Sequence, residues 1–253
     1  MAVRIAIAGC CGRMGRAIAQ AALTEPSVQI ASAFELQGHE AVGRDYAAVL
    51  GQPIAAPVKV TTDAKQAIGQ ADVLIEFTLP EPTLAHLKLA QELRKSVVIG
   101  TTGFNEAQLS EIKTASQTIP IVLSPNMSLG VNVLFELARL AAQRLGLGYQ
   151  IEVVEAHHKH KKDAPSGTAK RLIEAVADAR KQPASAIPVH AIRAGDIVGD
   201  HTVILAGPAE RLELTHRAHS REVFAQGAVK AARFVVSQRS GLYDMSHVLK
   251  APS

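Results

Sequence analysis

Residues 3–23, VRIAIAGCCGRMGRAIAQAAL, decide the fold of this 253-residue chain. The run Val3–Ala8 is apolar and contains β-branched residues, whereas residues 14–23 have a helix-forming composition rich in Ala, Ile and Gln. A glycine-rich turn that begins at Gly9 joins them. This pattern predicts a buried strand, a tight turn and a helix, which together open a parallel α/β sheet.

Apolar runs continue to alternate with helix-like stretches as far as Asn126. Strands that alternate with helices imply a parallel sheet covered on both faces, and fully buried strands are apolar throughout, as these are. The segment 38–60 is less regular. We predict strands at residues 28–34, 73–77, 97–99 and 119–123, and helices at residues 82–93 and 106–116.

Beyond Asn126 the pattern changes to a long predicted helix, residues 131–145, followed by strands that alternate between apolar and polar residues. Leu212 and Leu214, for example, lie between polar neighbours, which suits a sheet with one face in solvent. A second subunit commonly covers such a face. We predict strands at residues 151–154, 201–205 and 211–216, and a last helix at residues 221–237.

Two domains of an α/β protein are therefore expected. Residues 1–126, completed by residues 222–253, form a Rossmann-type dinucleotide-binding domain with a parallel sheet. Residues 127–221 form an α+β domain for substrate binding and oligomerisation, with an open mixed sheet.

The composition, 47% hydrophobic and 20% charged, supports a folded protein with a sizeable core. Its apolar runs are far shorter than the roughly 18 residues that a membrane helix needs. No basic segment precedes the first run, as it would in a signal peptide. We therefore expect a cytoplasmic protein without a membrane partner. The adjacent Cys10 and Cys11 disfavour an intrachain disulfide and leave no CxxC pair.

The net charge of +4 is compatible with nucleic acid or with small anionic ligands. Aromatic residues make up only 4% of the chain and tryptophan is absent, so the stacking surfaces of single-strand binders are poorly supplied. We therefore expect no nucleic-acid partner.

Gly9, Gly12 and Gly15 form a GxxGxxG motif between the first predicted strand and helix. Backbone amides at a helix N-terminus can approach and neutralise a pyrophosphate there. The motif alone also fits an ordinary strand-to-helix turn. Glu35, however, ends the second strand 20 residues beyond Gly15, the usual place of a carboxylate that binds an adenosine ribose. Together these features predict a dinucleotide site.

The residues around this site bear on the choice of dinucleotide. Glu35 would repel a 2′-phosphate, and Leu36 offers no charge to pair with one, which favours NADH. Arg13 could supply a compensating guanidinium. We therefore expect NADH to be preferred and NADPH to be tolerated.

Residues 155–170, EAHHKHKKDAPSGTAK, are the densest basic segment of the chain. On an extended backbone His157, Lys159 and Lys161 would project to one side, and residues 158, 160 and 162 to the other. Ser166 precedes a helix-like run whose free amides would point back at these cations. Cations beside a helix N-terminus suit a small ligand with carboxylates or phosphates.

Other interpretations of this basic segment remain open. A run of charges is usually a solvated face. His158 and His160 share one side, but the interleaved lysines repel a cation and Asp163 is the nearby carboxylate, so we predict no metal site. Nucleic acid is disfavoured because no recognition helix or aromatic pattern accompanies the run. The predicted dinucleotide site in the same chain favours catalysis.

Such a site suits hydride transfer. A hydride added to a conjugated or imine carbon leaves electron density on an adjacent atom, which a nearby His or Lys can protonate. Lys161 is our candidate proton donor. The alternatives are another nicotinamide-dependent dehydrogenase and a dinucleotide-sensing protein that docks nucleic acid or an acidic partner. A semialdehyde dehydrogenase that forms a thioester needs a cysteine in its second domain, where this sequence has none.

Motifs across nearly the whole chain resemble the 4-hydroxy-tetrahydrodipicolinate reductase (dihydrodipicolinate reductase) family of bacterial lysine biosynthesis. The histidine–lysine motif is much more specific than the glycine loop. The motifs are GxxGRMG at the first turn, GTTGF at 100–104, SPNMSLGVNV at 124–133, EAHHKHKKDAPSGTA at 155–169, RAGDIVGDHTV at 193–203 and SGLYDM at 240–245.

The resemblance implies roles for individual residues. It implies that His157 donates or accepts a proton and that Lys161 donates one. The carboxylates of the substrate would be contacted by His158, Gly167 and Thr168. The resemblance also places in the cofactor site Gly9, Cys10, Cys11, Gly12, Arg13, Met14 and Glu35 at the adenosine-pyrophosphate end, and Gly100, Thr101, Thr102, Ser124, Pro125, Asn126 and Met127 at the nicotinamide end.

The reaction that the resemblance implies is reduction of a small dicarboxylate by NADH or NADPH. (2S,4S)-4-Hydroxy-2,3,4,5-tetrahydrodipicolinate would become (S)-2,3,4,5-tetrahydrodipicolinate with loss of water. The family is typically a homotetramer through its C-terminal sheets, so we expect one here. The sequence departs from the family in two places. Leu36 stands where many relatives carry Arg, and the segment 181–192 is shorter and lacks a glycine-rich stretch near the subunit contacts.

Overall fold

The computed structural model describes residues 2–251, so residues 1, 252 and 253 of the expected first domain lie outside the described residues. The chain divides into two compact units. Unit 1 contains the described residues up to Met127 and from Glu222 onward, and unit 2 is Ser128–Arg221. Over the described part of the chain, the helices are too short or too polar to cross a membrane.

Unit 1 is built on a parallel sheet of seven strands. Numbered along the chain, they are β1 (Val3–Ala8), β2 (Val28–Phe34), β3 (Val60–Thr61), β4 (Val73–Glu76), β5 (Ser96–Ile99), β6 (Pro120–Leu123) and, near the C-terminus, β11 (Gly241–Tyr243). Their order across the sheet is β11-β6-β5-β4-β1-β2-β3. Because all the strands run the same way, their carboxyl ends share one edge, where ligands of such sheets bind.

Helices cover both faces of this sheet. They are α1 (Arg13–Leu23), α2 (Tyr46–Leu50), α3 (Ala64–Gly69), α4 (Pro80–Glu92), α5 (Glu106–Ala115), α8 (Glu222–Val235) and α9 (Met245–Lys250). Helices α3, α4 and α5 pack around buried strand residues such as Leu74, Val97 and Ile121. Helices α1 and α8 contact each other and the central strands on the other face. Burial on both sides explains why these strands are mostly apolar, with polar residues such as Arg4 and Gln29 near their ends.

Unit 2 is a four-stranded mixed sheet with helices on one face. It consists of α6 (Leu129–Leu145), β7 (Gln150–His157), α7 (Gly167–Arg180), β8 (Val189–Arg193), β9 (Gly199–Ala206) and β10 (Arg211–Ala218). Strands β7 and β8 are parallel, whereas β9 is antiparallel to both β7 and β10. Ile151, Val153 and Leu205 pack against α6 and α7. The opposite face is left open by the described elements.

The predicted fold class, a Rossmann-type parallel sheet with an α+β unit and an open mixed sheet, is confirmed. The helix predicted at 221–237 is not the last, because α9 follows it. The irregular segment 38–60 contains the five residues of α2 and the start of β3. Such short elements depend on tertiary contacts and caps, here the Asp45 side chain on the Ala47 amide, more than on periodicity.

Candidate active site

Strand β7 has polar residues at one end of the face that it buries in the core of unit 2. Its buried residues alternate, so Ile151, Val153, Glu155 and His157 share one face. The first two pack in the apolar core, and the last two bring a carboxylate and an imidazole to the end of the same face. The alternation that buries the apolar half of the strand therefore also positions the predicted catalytic residue His157.

Glu155 is fully buried and is held by several donors. Arg193, which lies opposite His157 on β8, donates from Nη1 to Oε2 at 2.8 Å and from Nη2 to Oε1 at 2.7 Å. The Ser166 amide donates to Oε1 at 3.1 Å. Burial alone would raise the pKa of Glu155, but the hydrogen bonds from Arg193 and His157 outweigh it and lower that pKa. Glu155 is therefore ionised at neutral pH.

This carboxylate fixes the tautomer of His157. Nδ1 of His157 lies 2.5 Å from Oε2 of the ionised Glu155, so Nδ1 carries the hydrogen and donates it. Burial lowers the pKa of His157, although the attraction of Glu155 opposes it. A neutral His157 therefore presents the lone pair of Nε2.

The chain turns directly after His157. Strand β7 ends there, and the Lys161 amide donates to the His158 carbonyl at 3.1 Å. The predicted two-sided alternation of residues 157–162 is therefore wrong, because a turn replaces the extended backbone on which it depended. His158 and His160 still lie near each other, with ring centroids 6.4 Å apart.

Lys161 has a counter-ion within this turn. Its Nζ lies 2.9 Å from Oδ1 of Asp163. Arg193 Nη2, which already binds Glu155, also donates to the Asp163 carbonyl at 2.6 Å. One guanidinium thus ties the strand that carries His157 to the loop that carries Lys161. The structure brings the two predicted proton-transfer residues into one network.

Helix α7 begins at Gly167, with Ser166 as its N-cap and Thr168 as its second residue. The Ser166 hydroxyl accepts from the Ala169 amide at 3.1 Å and lies 3.1 Å from Nε2 of His201. Burial lowers the pKa of His201 to about 3, so a neutral imidazole shares the hydrogen bond with the Ser166 hydroxyl. Because Ser166 caps the third amide, the amide of Gly167 remains directed toward any anion at this end.

The glycine loop follows β1 at the carboxyl edge of the unit 1 sheet. Gly9 has a φ of +57°, a left-handed conformation that favours glycine. A Cβ on Gly15 would lie 2.2 Å from the Gly9 carbonyl oxygen, so α1 starts too close to the strand for a side chain. The first turn of α1 has no side-chain cap, which leaves its leading amides, including those of Arg13 and Met14, for an anion.

Glu35 directly follows β2 and is tied to this loop. Its Oε1 accepts from the Cys11 amide at 2.7 Å, and its Oε2 accepts from the Leu36 amide at 3.2 Å. The Tyr46 hydroxyl donates to the Cys10 carbonyl at 2.8 Å and holds the loop from beneath. The predicted ribose carboxylate and the predicted pyrophosphate loop therefore lie side by side.

Residues 100–102, predicted at the nicotinamide end, follow β5 at the same edge. Glycine is needed at Gly100 because a Cβ there would lie 2.2 Å from the ring of Phe77. The buried Thr101 hydroxyl lies 2.9 Å from that of Thr83, which donates to buried Glu76 at 2.8 Å. The Thr101 hydroxyl is therefore engaged inside the protein. Thr102 is exposed.

The other predicted nicotinamide-end segment, residues 124–127, turns after β6. The Ser124 hydroxyl donates to the Asn126 carbonyl at 2.8 Å, around an exposed Pro125. Met127 is buried, and its carbonyl oxygen would lie 1.7 Å from a Cβ on Gly227 of α8. Helix α8 thus packs directly on the backbone of this turn and fixes its position.

The residues that position the predicted catalytic side chains were not predicted from the sequence. Glu155 could have been predicted, because it falls on the same buried face of the strand as Ile151 and Val153. A charged residue at such a position needs a buried partner. Arg193 and His201 gave no such signal. They reach Glu155 only through strand register, which a single sequence does not reveal.

Comparisons with known proteins show the family of this chain. The family "Dihydrodipicolinate reductase, N-terminus" matches residues 3–127, and "Dihydrodipicolinate reductase, C-terminus" matches residues 130–249. Enzymes named 4-hydroxy-tetrahydrodipicolinate reductase from Aromatoleum aromaticum and Ralstonia nicotianae are each 48% identical to this chain. Their alignments cover 98% of it and 95% and 99% of the relatives.

A solved structure, a dipicolinate-bound dihydrodipicolinate reductase from Paenisporosarcina sp. TG-14, has the same fold. It matches with a TM-score of 0.80 at 23% identity, over 96% of this chain and 98% of that one. The family expected from the sequence motifs is confirmed. The chain belongs to the dihydrodipicolinate reductase family, NAD(P)H-dependent oxidoreductases that convert 4-hydroxy-tetrahydrodipicolinate to tetrahydrodipicolinate, with loss of water, in lysine and diaminopimelate biosynthesis.

Proposed function

We propose that the substrate dicarboxylate binds at the N-terminus of α7, beside His157, His158 and Lys161. The observation that carries this proposal is the Glu155–Arg193 pair, whose hydrogen bonds reach His157, the Lys161 loop and the α7 cap together. Backbone amides at the first helical positions, Gly167 and Thr168, bind one carboxylate. The relative from Paenisporosarcina binds dipicolinate, a dicarboxylate of similar shape, which supports this assignment.

Lys161 donates the proton that completes the reduction. Its ammonium group is partly buried and pairs with Asp163 at 2.9 Å. His157 is neutral at neutral pH and uses Nε2 to accept a hydrogen bond or a proton. The ionised Glu155 behind Nδ1 would stabilise the imidazolium that forms. The two residues therefore have different roles, Lys161 as the acid and His157 as the acceptor.

The cofactor, when bound, supplies the hydride. Gly9, Cys10, Cys11, Gly12, Arg13 and Met14 form its pyrophosphate loop, and the uncapped first turn of α1 together with the close approach at Gly15 fits a pyrophosphate. The Glu35 carboxylate accepts hydrogen bonds from the ribose hydroxyls. The Cys11 amide already orients this carboxylate. Residues 100–102 and 124–127 contact the nicotinamide end.

NADH is the preferred cofactor, and NADPH is tolerated. Leu36 is 73% exposed next to Glu35 and offers no charge to a 2′-phosphate, which the Glu35 carboxylate repels. The exposed Arg13 in the loop can partly offset this repulsion.

The functional assembly is a cytoplasmic homotetramer formed through the open face of the unit 2 sheet. Ile192 on β8 is 47% exposed and shares that face with Val154 and Ile204. An uncovered sheet face with apolar side chains favours a second subunit as its cover.

The proton-donor role is tested with Lys161→Met, with Lys162→Met at the adjacent exposed position as the matched control. The kcat for NADH oxidation with freshly prepared substrate is expected to fall by about 100-fold or more in Lys161→Met, because general acid catalysis contributes about that much. Lys162→Met should keep nearly normal turnover. Normal kcat in Lys161→Met would remove this residue from the mechanism.

A further inference from the structure

The glycine loop contains a vicinal pair of thiols that the reductase chemistry does not use. Cys10 and Cys11 are the only cysteines in the chain, and both are free. Their Sγ atoms lie 3.8 Å apart. The conformation of the loop depends on Gly9 and Gly15 and not on the thiols.

The spacing of the two sulfur atoms matches the coordination geometry of a soft divalent cation. A zinc–thiolate bond is about 2.3 Å long, so the edge between two sulfurs in a tetrahedral site is about 3.8 Å. Two thiols in direct contact have the same separation, so the spacing permits a shared cation without requiring one. The Tyr46 hydroxyl donates to the Cys10 carbonyl and holds the backbone of the turn.

A third ligand is already in place. An oxygen of Glu35 and the two sulfurs all lie within 4.8 Å of one another. The carboxylate is oriented toward the loop by the amides of Cys11 and Leu36. Cys10 is buried, whereas Cys11 and Glu35 are partly exposed, so a cation can enter from solvent and keep a water as its fourth ligand.

A guanidinium group lies beside the Cys11 end of the thiol pair. Two thiolates and a carboxylate around a divalent cation carry excess negative charge, which nearby guanidinium groups would offset. Arg16 donates from Nε to the Cys11 carbonyl at 3.0 Å and is anchored to the Val49 carbonyl at 2.8 Å. Its charge therefore stays next to the thiol pair.

We propose that Cys10, Cys11 and Glu35 form a binding site for one soft divalent cation of the Zn²⁺ or Cd²⁺ type, and that this cation and the dinucleotide exclude each other. Binding forms two metal–sulfur bonds and releases both thiol protons to solvent, with no change of oxidation state. The exclusion rests on the proposed function, because the same Glu35 carboxylate binds the ribose there. The site would make the reductase sensitive to soft metals.

The test is a titration of the whole protein with Cd²⁺ alone, followed by the ultraviolet thiolate-to-cadmium charge-transfer band. Since the chain has no other cysteine, this band reports only Cys10 and Cys11. We expect saturation at one Cd²⁺ per chain and loss of the band when NADH is added. Absence of the band, or saturation at one Cd²⁺ per two chains, would overturn the site.

Two variants sharpen this result. Cys11→Ser should abolish the paired-thiolate band and weaken Cd²⁺ binding by at least about 10-fold, whereas Glu35→Gln should keep the band with weaker binding. An unchanged Cd²⁺ affinity in either variant would contradict the proposed ligand set. Both variants must first show the unfolding midpoint of the parent protein within error.

Different results would contradict the proposed metal site and the proposed cofactor site. NADH binding is first measured by fluorescence with a chelator present. A protein that binds NADH but keeps its cadmium band when NADH is added would overturn the exclusion and leave the cofactor site intact. A protein that shows the band but does not bind NADH in chelator would overturn the cofactor assignment, and with it the exclusion.

Discussion

At the scale of single residues, the site depends on a buried charge that the sequence motifs do not mark as functional. Glu155 has no exposed surface and remains ionised because Arg193 contacts both of its oxygens. Its position behind His157 gives that imidazole one tautomer and one orientation. Glu155 is therefore a positioning residue that acts through His157.

Glu155→Gln tests this positioning role. We expect kcat to fall by about 10- to 100-fold, or roughly 1.4–2.7 kcal/mol of transition-state stabilisation, with a smaller change in KM. Because Glu155 opposes the lowering of the His157 pKa, its loss should move the acid limb of the kcat–pH profile to lower pH.

The matched control for this variant is Glu152→Gln. Glu152 lies on the same strand and also pairs with a histidine, His190, at 2.7 Å, but this pair is exposed. It should leave kcat and the pH profile unchanged. If the Glu155→Gln profile superimposed on that of the parent enzyme, Glu155 would have no role beyond packing.

Leu36→Arg tests the basis of cofactor preference. A guanidinium at this exposed position can pair with a 2′-phosphate, and a charge-assisted contact of about 1.4 kcal/mol raises NADPH affinity about 10-fold. NADH affinity should change little, because NADH has no phosphate there. Fluorescence titrations with both cofactors measure this, and an unchanged ratio of the two dissociation constants would contradict it.

Many residues of the candidate site could be predicted from the sequence, but the residues that hold them in position could not. Gly9, Glu35 and the segment 155–170 are contiguous in sequence or have a characteristic spacing, so local pattern was sufficient to place them beside strand ends. Arg193 lies 38 residues from Glu155 and meets it through parallel pairing of β7 and β8. No local pattern encodes that register, because it is set by packing of the whole sheet.

At the scale of elements, the N-terminus of α7 is both a capped helix end and the proposed anion site. The Ser166 hydroxyl caps the helix and hydrogen-bonds with His201, and the Ser166 amide donates to Glu155. A cap lost here changes both the helix end and the predicted anion site. Binding and stability effects can be separated with a second capped helix in the same chain.

Ser166→Ala is expected to lower the free energy of unfolding by about 1 kcal/mol and to raise KM for the substrate severalfold. Asn105→Ala, which removes the capping box of α5 in unit 1, should cost similar stability and leave KM unchanged. Chemical denaturation and steady-state kinetics on both variants measure this. Equal effects on KM in the two variants would contradict a binding role for the α7 terminus.

The elements that sequence patterns found are those with many periodic residues, such as β1, β2, α6 and α8. The elements they missed are α2, β3, α3, β8, β11 and α9, which are two to six residues long. Such short segments form because neighbours pair with them or cap them. For α9, the Asp244 side chain accepts from the amides of Ser246 and His247, a signal that requires the exact cap position.

At the scale of the whole molecule, buried histidines make stability depend on pH. Burial lowers the pKa of His157 and, to about 3, that of His201, below the value of about 6.5 for an unfolded histidine. Below that pH the unfolded chain therefore binds more protons than the folded one. Stability is fully present above about pH 6.5 and is lost as the pH falls.

We expect Tm to fall progressively between about pH 7 and pH 5, a window above the titration of ordinary carboxylates. His201→Gln, which keeps a polar partner for Ser166, should flatten this dependence. Thermal unfolding across that range measures it. A parent Tm that is constant over the window, or an equally steep fall in His201→Gln, would contradict the assignment.

The proposed mechanism depends on where the dicarboxylate lies, and a crystal structure of the enzyme with pyridine-2,6-dicarboxylate tests this most directly. We predict one carboxylate on the backbone amides of Gly167 and Thr168, with the ring within contact distance of Lys161 and His157. A fully occupied ligand bound away from the α7 N-terminus, with the Glu155–Arg193 network intact, would contradict the proposed substrate site and the mechanism built on it.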